Sequence, residues 1–176
     1  MIRRRPSLER AGDESLVDLL LGCHARIRRY AALAATLTQL RDGERPPAEI
    51  AEAAESVRRY FAVALPLHVL DEDESIAPRL AAAAPELRDA LAAMHGDHET
   101  HAPLVREVVA LCADLARAPA KLGPIGRDLE APARLLVSAM ARHLADEEQL
   151  VFPAVGRLPA DVQKTITAEL RARRQT

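Results

Sequence analysis

The sequence predicts an all-α fold: an up-and-down four-helix bundle with a short additional C-terminal helix. Three observations predict it. Apolar residues recur at spacings of three and four through four long segments, which is the period of a helix face and not of a strand. Alanine is abundant, 49% of the 176 residues are hydrophobic and only 2% are aromatic, a mixture of strong helix formers with few strand formers. Loop signals separate the segments by short stretches, so consecutive helices are expected to run antiparallel.

Taken in order, Asp13 can cap a first helix running to about Arg41, with Leu16, Leu20, His24, Ile27, Ala31 and Ala34 on one stripe. Gly43 and the pair Pro46-Pro47 stop it and start a second. The second stripe reads Ile50, Ala54, Val57, Phe61, Leu65, His68 and Glu72. Pro85 opens a third helix, on which Leu87, Leu91, Met94, His98, His101, Val105, Val108 and Cys112 align. Loop signals from Pro119 to Gly126 precede a fourth, carried to about Val155, with Leu129, Leu136, Ala139, His143, Glu147 and Leu150 facing inward. Pro159 starts the short fifth. Pro66 and Pro103 fall inside helical patterns, where each removes a backbone donor; the expectation is a tolerated kink or a local widening near a site.

Length and charge exclude several classes. One domain of this size buries a core without disulfides or structural zinc. The net charge of −2, from 24 basic and 26 acidic residues, makes no field for nucleic acid or an acidic membrane. Four aromatic residues, Tyr30, Tyr60, Phe61 and Phe152, make no stacking platform for bases. No apolar run reaches the roughly 20 residues of a membrane span, and the start Met1-Ile2-Arg3-Arg4-Arg5-Pro6 has no signal-peptide core. Cys23 and Cys112 form no CxxC and read as small buried hydrophobes in a reducing compartment. The expectation is a cytoplasmic protein, with Arg3-Arg4-Arg5 and Arg171-Ala172-Arg173-Arg174 as frayed, solubilising ends.

The chain also repeats itself. His68-Val69-Leu70-Asp71-Glu72-Asp73-Glu74-Ser75-Ile76-Ala77-Pro78 aligns without gaps on His143-Leu144-Ala145-Asp146-Glu147-Glu148-Gln149-Leu150-Val151-Phe152-Pro153. His24 stands 44 residues before His68, and His98 stands 45 before His143, so the chain reads as two helical hairpins of one plan. Each His-x3-Glu pair lies on a buried stripe, with its members about 6 Å apart. Any of these histidines alone is compatible with a hydrogen-bonded core residue, and Asp71-Glu72-Asp73-Glu74 alone with a solvated charge run. Together, four inward imidazoles and two carboxylates must be paired or must coordinate something, because an isolated buried carboxylate costs several kcal/mol. Both acidic clusters are also expected at helix ends, where the macrodipole disfavours them unless cations compensate. Nitrogen and oxygen donors without soft ligands suit Fe, Mn or Zn, and two carboxylates shared among four helices suggest a bridged two-metal site.

These residues resemble the hemerythrin-like, or HHE cation-binding, family, whose pattern is His, then His-x3-Glu, then His, then His-x3-Glu on four bundle helices. The resemblance covers most of the chain, and implies one such domain over residues 1–176 with a core at about 13–156. It implies that His24, His68, His98 and His143 are terminal iron ligands and that Glu72 and Glu147 are bridging carboxylates. The cofactor implied is two non-haem Fe ions with an oxo or hydroxo bridge. Pro78, Pro153 and the segment Leu150-Val151-Phe152-Pro153 match the family's aromatic-proline ending. Oxygen-carrying members add a histidine four residues from that of the third helix, where this chain has Met94 and Ala102, so a five-histidine site is not implied. His95 and His101, three residues either side of His98, are candidates for a further ligand or for a pocket-edge role. Repair-type relatives carry a cysteine-bearing N-terminal segment, and here no cysteine precedes Cys23.

Two six-coordinate irons have about twelve positions, which leaves one exchangeable position on each after the protein ligands and the bridge. The implied partners are therefore O2, NO or peroxide and an electron donor, with no nucleic acid and no membrane. The leading expectation is a binding or sensing protein, or one that handles iron. An enzyme reducing peroxide or NO stands beside it, favoured if His95, His101, Asp73 or Glu148 approach the pocket as proton donors. A zinc-binding or metal-free helical interaction module is the remaining alternative.

Overall fold

The computed structural model describes residues 14–175, and every regular element in it is helical. The first rod, α1 (Leu16–Gln39), begins at Ser15, not at Asp13, which lies outside the described residues. The Ser15 hydroxyl accepts from the Asp18 amide while the Asp18 carboxylate accepts from the Ser15 amide, so both orphan donors at the helix start are satisfied.

The second rod covers residues 47–83. It comprises α2 (Pro47–Arg59), a π-helical turn (Tyr60–Ala64), α3 (Leu65–Leu70), a second π turn (Asp71–Ile76) and α4 (Ala77–Ala83). The third is α5 (Arg88–Arg117), opened by one 3₁₀ turn at Pro85–Leu87. The fourth covers residues 122–157 as α6 (Leu122–Asp146), a π turn (Glu147–Val151) and α7 (Phe152–Arg157). Its start corrects the expected loop up to Gly126: Pro124 lies in the first turn of α6, where its missing amide has no helical partner to lose. The fifth helix, α8 (Ala160–Arg173), follows Pro159.

Each π turn ends two residues before a proline. The amides of Leu65, Ala77 and Phe152 donate to the carbonyls of Tyr60, Glu72 and Glu147, five residues back, and Pro66, Pro78 and Pro153 follow. A proline ring collides with the carbonyl four residues before it; one extra residue in the turn relieves the collision and keeps the rod continuous. Pro66 therefore widens its helix, whereas Pro103 and Pro132 sit inside α5 and α6 with no such turn. The extra residue also rotates the register. Stepping from His143 and Glu147 puts Leu150 inward, but Leu150 is half exposed and Val151 and Phe152 are buried instead.

α1 packs against α2 and α6, and α5 against α2 and α6, which closes the four rods into a bundle. Its apolar interior forms two clusters. One holds Ile27, Phe61, Val108, Leu129 and Leu136; the other holds Leu20, Ile76, Leu80, Val151 and Ile166. A polar layer of His24, His68, Glu72, His143 and Glu147 is buried with these clusters. Among the described residues no helix is long and apolar enough to cross a membrane.

α8 lies over the second π turn and the start of the bundle. Arg173 and Arg174 bind the two oxygens of Asp71 at 3.0 and 2.6 Å, and Asp71 is fully buried. The C-terminal arginines are thus structural partners of an internal carboxylate, which corrects their reading as frayed ends. The acidic clusters also differ from expectation, because they lie at π turns inside continuous rods and not at helix ends.

Candidate metal centre

All six sequence-predicted side chains converge. The candidate ligand atoms of His24, His68, Glu72 and Glu147 lie within 4.8 Å of one another, and so do those of Glu72, His98, His143 and Glu147. The two glutamates belong to both groups. The oxygens divide between them: Glu72 Oε1 stands 3.4 Å from His68 Nε2, and Oε2 stands 3.3 Å from His98 Nε2. Glu147 Oε2 is 3.1 Å from His24 Nε2, and Oε1 is 3.0 Å from His143 Nε2. Each carboxylate spans the two histidine pairs with one oxygen apiece.

These atoms approach without bonding. The Nε2 atoms of His24, His68 and His98 and all four oxygens of Glu72 and Glu147 are buried with no hydrogen-bond partner, although several lie within contact distance of each other. Buried polar atoms nearly always have partners, and each orphan costs about 1–3 kcal/mol, more if charged. Seven orphans directed at one small volume are therefore a strong indication of a cation. Four imidazole nitrogens, four carboxylate oxygens and no sulfur fit a first-row divalent metal of borderline hardness.

The outward nitrogens are also held. His24 Nδ1 meets Glu148 Oε1 at 2.9 Å, His98 Nδ1 meets Asp73 Oδ1 at 3.2 Å, and His143 Nδ1 meets Asp97 Oδ2 at 3.3 Å. A carboxylate on Nδ1 fixes the tautomer that turns the Nε2 lone pair inward and raises its basicity. Arg28 in turn holds Glu148 at 2.7 Å, and the Glu148 carboxyl sits below its ordinary range through that guanidinium first. His68 is the exception: neither of its nitrogens has a hydrogen bond of good geometry, and its ring lies beside the Cys23 thiol.

The electrostatics follow from this crowding. Burial disfavours the charged imidazoles, but the neighbouring carboxylates outweigh it. His24 is raised to about 9 by Glu147 and Glu72, and His98 to about 10 by the same two residues. Burial likewise pushes Glu72 and Glu147 up, and the surrounding histidines bring both below the ordinary carboxylate range. Two negative charges 1% and 2% exposed demand positive charge nearby, supplied either by protons on the histidines or by metal ions that displace them.

The remaining candidates separate cleanly. His95 is 59% exposed and joins Asp73 at 3.1 Å; it lies outside both buried groups but forms, with Asp73 and His98, a third and more exposed cluster whose donor atoms lie within 4.8 Å of one another. His101 is also outside them; it stands at a pocket edge, edge-on to the His143 ring at 5.5 Å, and burial followed by the His143 charge lowers its pKa. Asp73 and Glu148, expected as proton donors if they approached the pocket, do not line it and orient ligand-group histidines instead. Cys112 is a buried hydrophobe with a thiol pushed up to about 12 by burial. Cys23 is not: it is only partly buried and accepts from Arg26 at 3.1 Å. Burial raises its thiol pKa, but His68, Arg26 and Arg174 together hold it below the usual range.

Asp97, Arg28 and the clamp by Arg173 and Arg174 were not legible beforehand. Asp73 and Glu148 had a signal, since they occupy equivalent places in the sequence repeat, directly after the two glutamates. No curated protein matches the chain. The family model for the hemerythrin HHE cation-binding domain matches residues 15–155. That span runs from the cap of α1 to beyond Glu147 and takes in every side chain of the converging set, so the chain belongs to the hemerythrin family of HHE cation-binding domains.

Proposed function

We propose that the protein is a non-haem di-iron protein that binds or senses O2, NO or peroxide. The carrying observation is the division of oxygens: Glu72 and Glu147 each present one oxygen to the His24/His68 pair or its member and the other to the His98/His143 side. That division supports a reading of the two glutamates as carboxylates that would be shared between two ions. His24 and His68 would hold one ion and His98 and His143 the other, four protein donors for each. Six-coordinate metals held by these donors would have about two further positions each for exogenous ligands. Iron bound there supplies reversible redox change and a position open to a diatomic molecule.

The chain's own residues set the rest. Glu148, Asp73 and Asp97 orient three of the imidazoles, and Phe152 packs its ring 4.6 Å from that of His24. Among the side chains that line the adjoining pocket, His101 is the only titratable group besides the ligand histidines and two arginines. A wall so poor in proton donors favours binding over rapid reduction, which needs protons at the reacting atoms.

The test is anaerobic reconstitution with Fe(II). Mass spectrometry should count two irons per chain, and visible absorption should change on exposure to O2, NO or H2O2. Sustained consumption of peroxide or NO with an electron donor would assign the enzyme instead. A colourless protein that retains only zinc would end the di-iron reading.

A further inference from the structure

Beside the polar layer lies a cavity of about 670 Å³, lined mainly by the second and third rods with Ile27, Met140 and His143 from the other two, and bordered at the polar layer by His68, His98 and His143. α2 packs extensively on α5, whereas the short α3, past the first π turn, makes little contact with it. Small side chains on α5, Ala102, Ala110 and Ala113, leave the space unfilled. Lining residues run from His98 to Ala113, which at 1.5 Å per residue makes a groove about 22 Å long.

Its size does not suit a diatomic ligand alone. A water molecule takes about 30 Å³ of liquid, so the groove has room for roughly twenty. Its volume falls in the range of about 300–1,000 Å³ that holds organic ligands. Its chemistry is selective as well. Among the described residues no aspartate or glutamate lines it, although the chain has 26 acids, and its two permanently charged lining residues are both arginines. Arg58 is already held by Glu55 through two hydrogen bonds of 2.7 and 2.6 Å. Arg106 is exposed and has no hydrogen bond or ion pair among the described residues.

We propose that this groove binds a linear aliphatic monocarboxylate, its carboxylate on Arg106 and its methylene chain along Phe61, Leu65, Val105 and Val109. Charge complementarity selects that occupant. An arginine fork pairs with a carboxylate through two parallel hydrogen bonds, and the apolar walls reward each methylene removed from water. The same charge opposes the chain's own first residues, where Arg3, Arg4, Arg5 and Arg10 are concentrated. The site goes beyond a diatomic ligand and does not depend on which metal the neighbouring histidines hold.

The experiment is calorimetric titration of the full-length protein with decanoate, octanoate and decyltrimethylammonium, with metal content measured before and after. Decanoate should bind one per chain. Octanoate should bind about sixteenfold more weakly, since each buried methylene contributes about fourfold. Arg106→Ala should weaken decanoate about two- to fivefold, the loss expected for an exposed charge pair. Ala110→Trp, at an exposed position on the groove wall, should block it with circular dichroism and metal content unchanged. The proposal is overturned by any of three results: no saturable binding at about 1 mM decanoate, equal affinity for decyltrimethylammonium, or a dimer closed over the groove that Ala110→Trp separates. Metal content is read independently, so a failed groove with two ions retained leaves the metal reading standing.

Discussion

Glu148 holds His24 from the opposite half of the molecule: its Oε1 accepts from His24 Nδ1 at 2.9 Å, 124 positions apart in sequence. Asp73 makes the reciprocal contact to His98 at 3.2 Å. Each hairpin therefore orients the leading histidine of the other, using the acid that directly follows its own glutamate. The two halves of the sequence repeat are not independent metal sites but halves that complete one another.

This exchange predicts how metal affinity responds to conservative change. Glu148→Gln or Asp73→Asn keeps a hydrogen-bonding group yet removes the charge that polarises the imidazole. Metal affinity should fall about 10–100-fold, with two ions still bound at saturation. Competition against a chromophoric chelator measures it, and unchanged affinity would remove these acids from any orienting role.

The shared carboxylates predict an asymmetry of stoichiometry. His143→Ala removes a donor from one group only, and native mass spectrometry should show one ion retained by His24, His68, Glu72 and Glu147. Glu147→Ala removes an oxygen from both groups, and neither ion should survive desalting. Two ions retained by Glu147→Ala would refute bridging.

Metal-free and metal-loaded protein should depend on pH with opposite sign. In the metal-free chain His24 and His98 are raised from 6.5 to about 9 and about 10. The folded state then binds more protons than the unfolded one between pH 6.5 and those values, so this stabilisation is complete below 6.5 and is lost as pH rises through about 9 to 10. In the loaded protein the metal replaces those protons, the unfolded chain binds more protons below about 6.5, and stability should rise with pH up to that point. Urea unfolding across pH 5.5–10 with and without chelator is the measurement. At neutral pH the loaded form should also be more stable by about 2.7 kcal/mol when free metal stands at a hundred times its dissociation constant.

The clamp on Asp71 predicts a large cost at the far end of the chain. Replacing both Arg173 and Arg174 with alanine leaves a fully buried carboxylate without its cations. Unfolding free energy should drop by about 3–5 kcal/mol, far more than exposed arginines would cost. The loss should be accompanied by weaker metal binding, because Asp71 opens the π turn that carries Glu72. Stability unchanged within about 0.5 kcal/mol would show the ends to be solubilising after all.

Much of the bundle was legible because its helices obey a period. The stripe Ile50, Ala54, Val57, Phe61, Leu65, His68, Glu72 is buried throughout, and Pro47, Pro85 and Pro159 open or immediately precede helical stretches. Prediction weakened where the period breaks. Steps of three and four place Leu150 inward, whereas the π turn after Glu147 gives that place to Val151. The cue was present in Pro153, whose ring forces the wider turn, but its effect falls on the residues before it.

Up to the π turn after Glu147, the sequence by itself determined which side chains share an inward face, since spacing along a helix dictates direction, and it placed four histidines and two glutamates there. It could not determine which oxygen of Glu72 or Glu147 meets which histidine, or that Arg174 would close on Asp71 across 103 residues. Those contacts join rods whose relative rotation depends on packing summed over the whole core. Helical period is a local property of the backbone; the meeting of two rods is settled only when all of them have found their places.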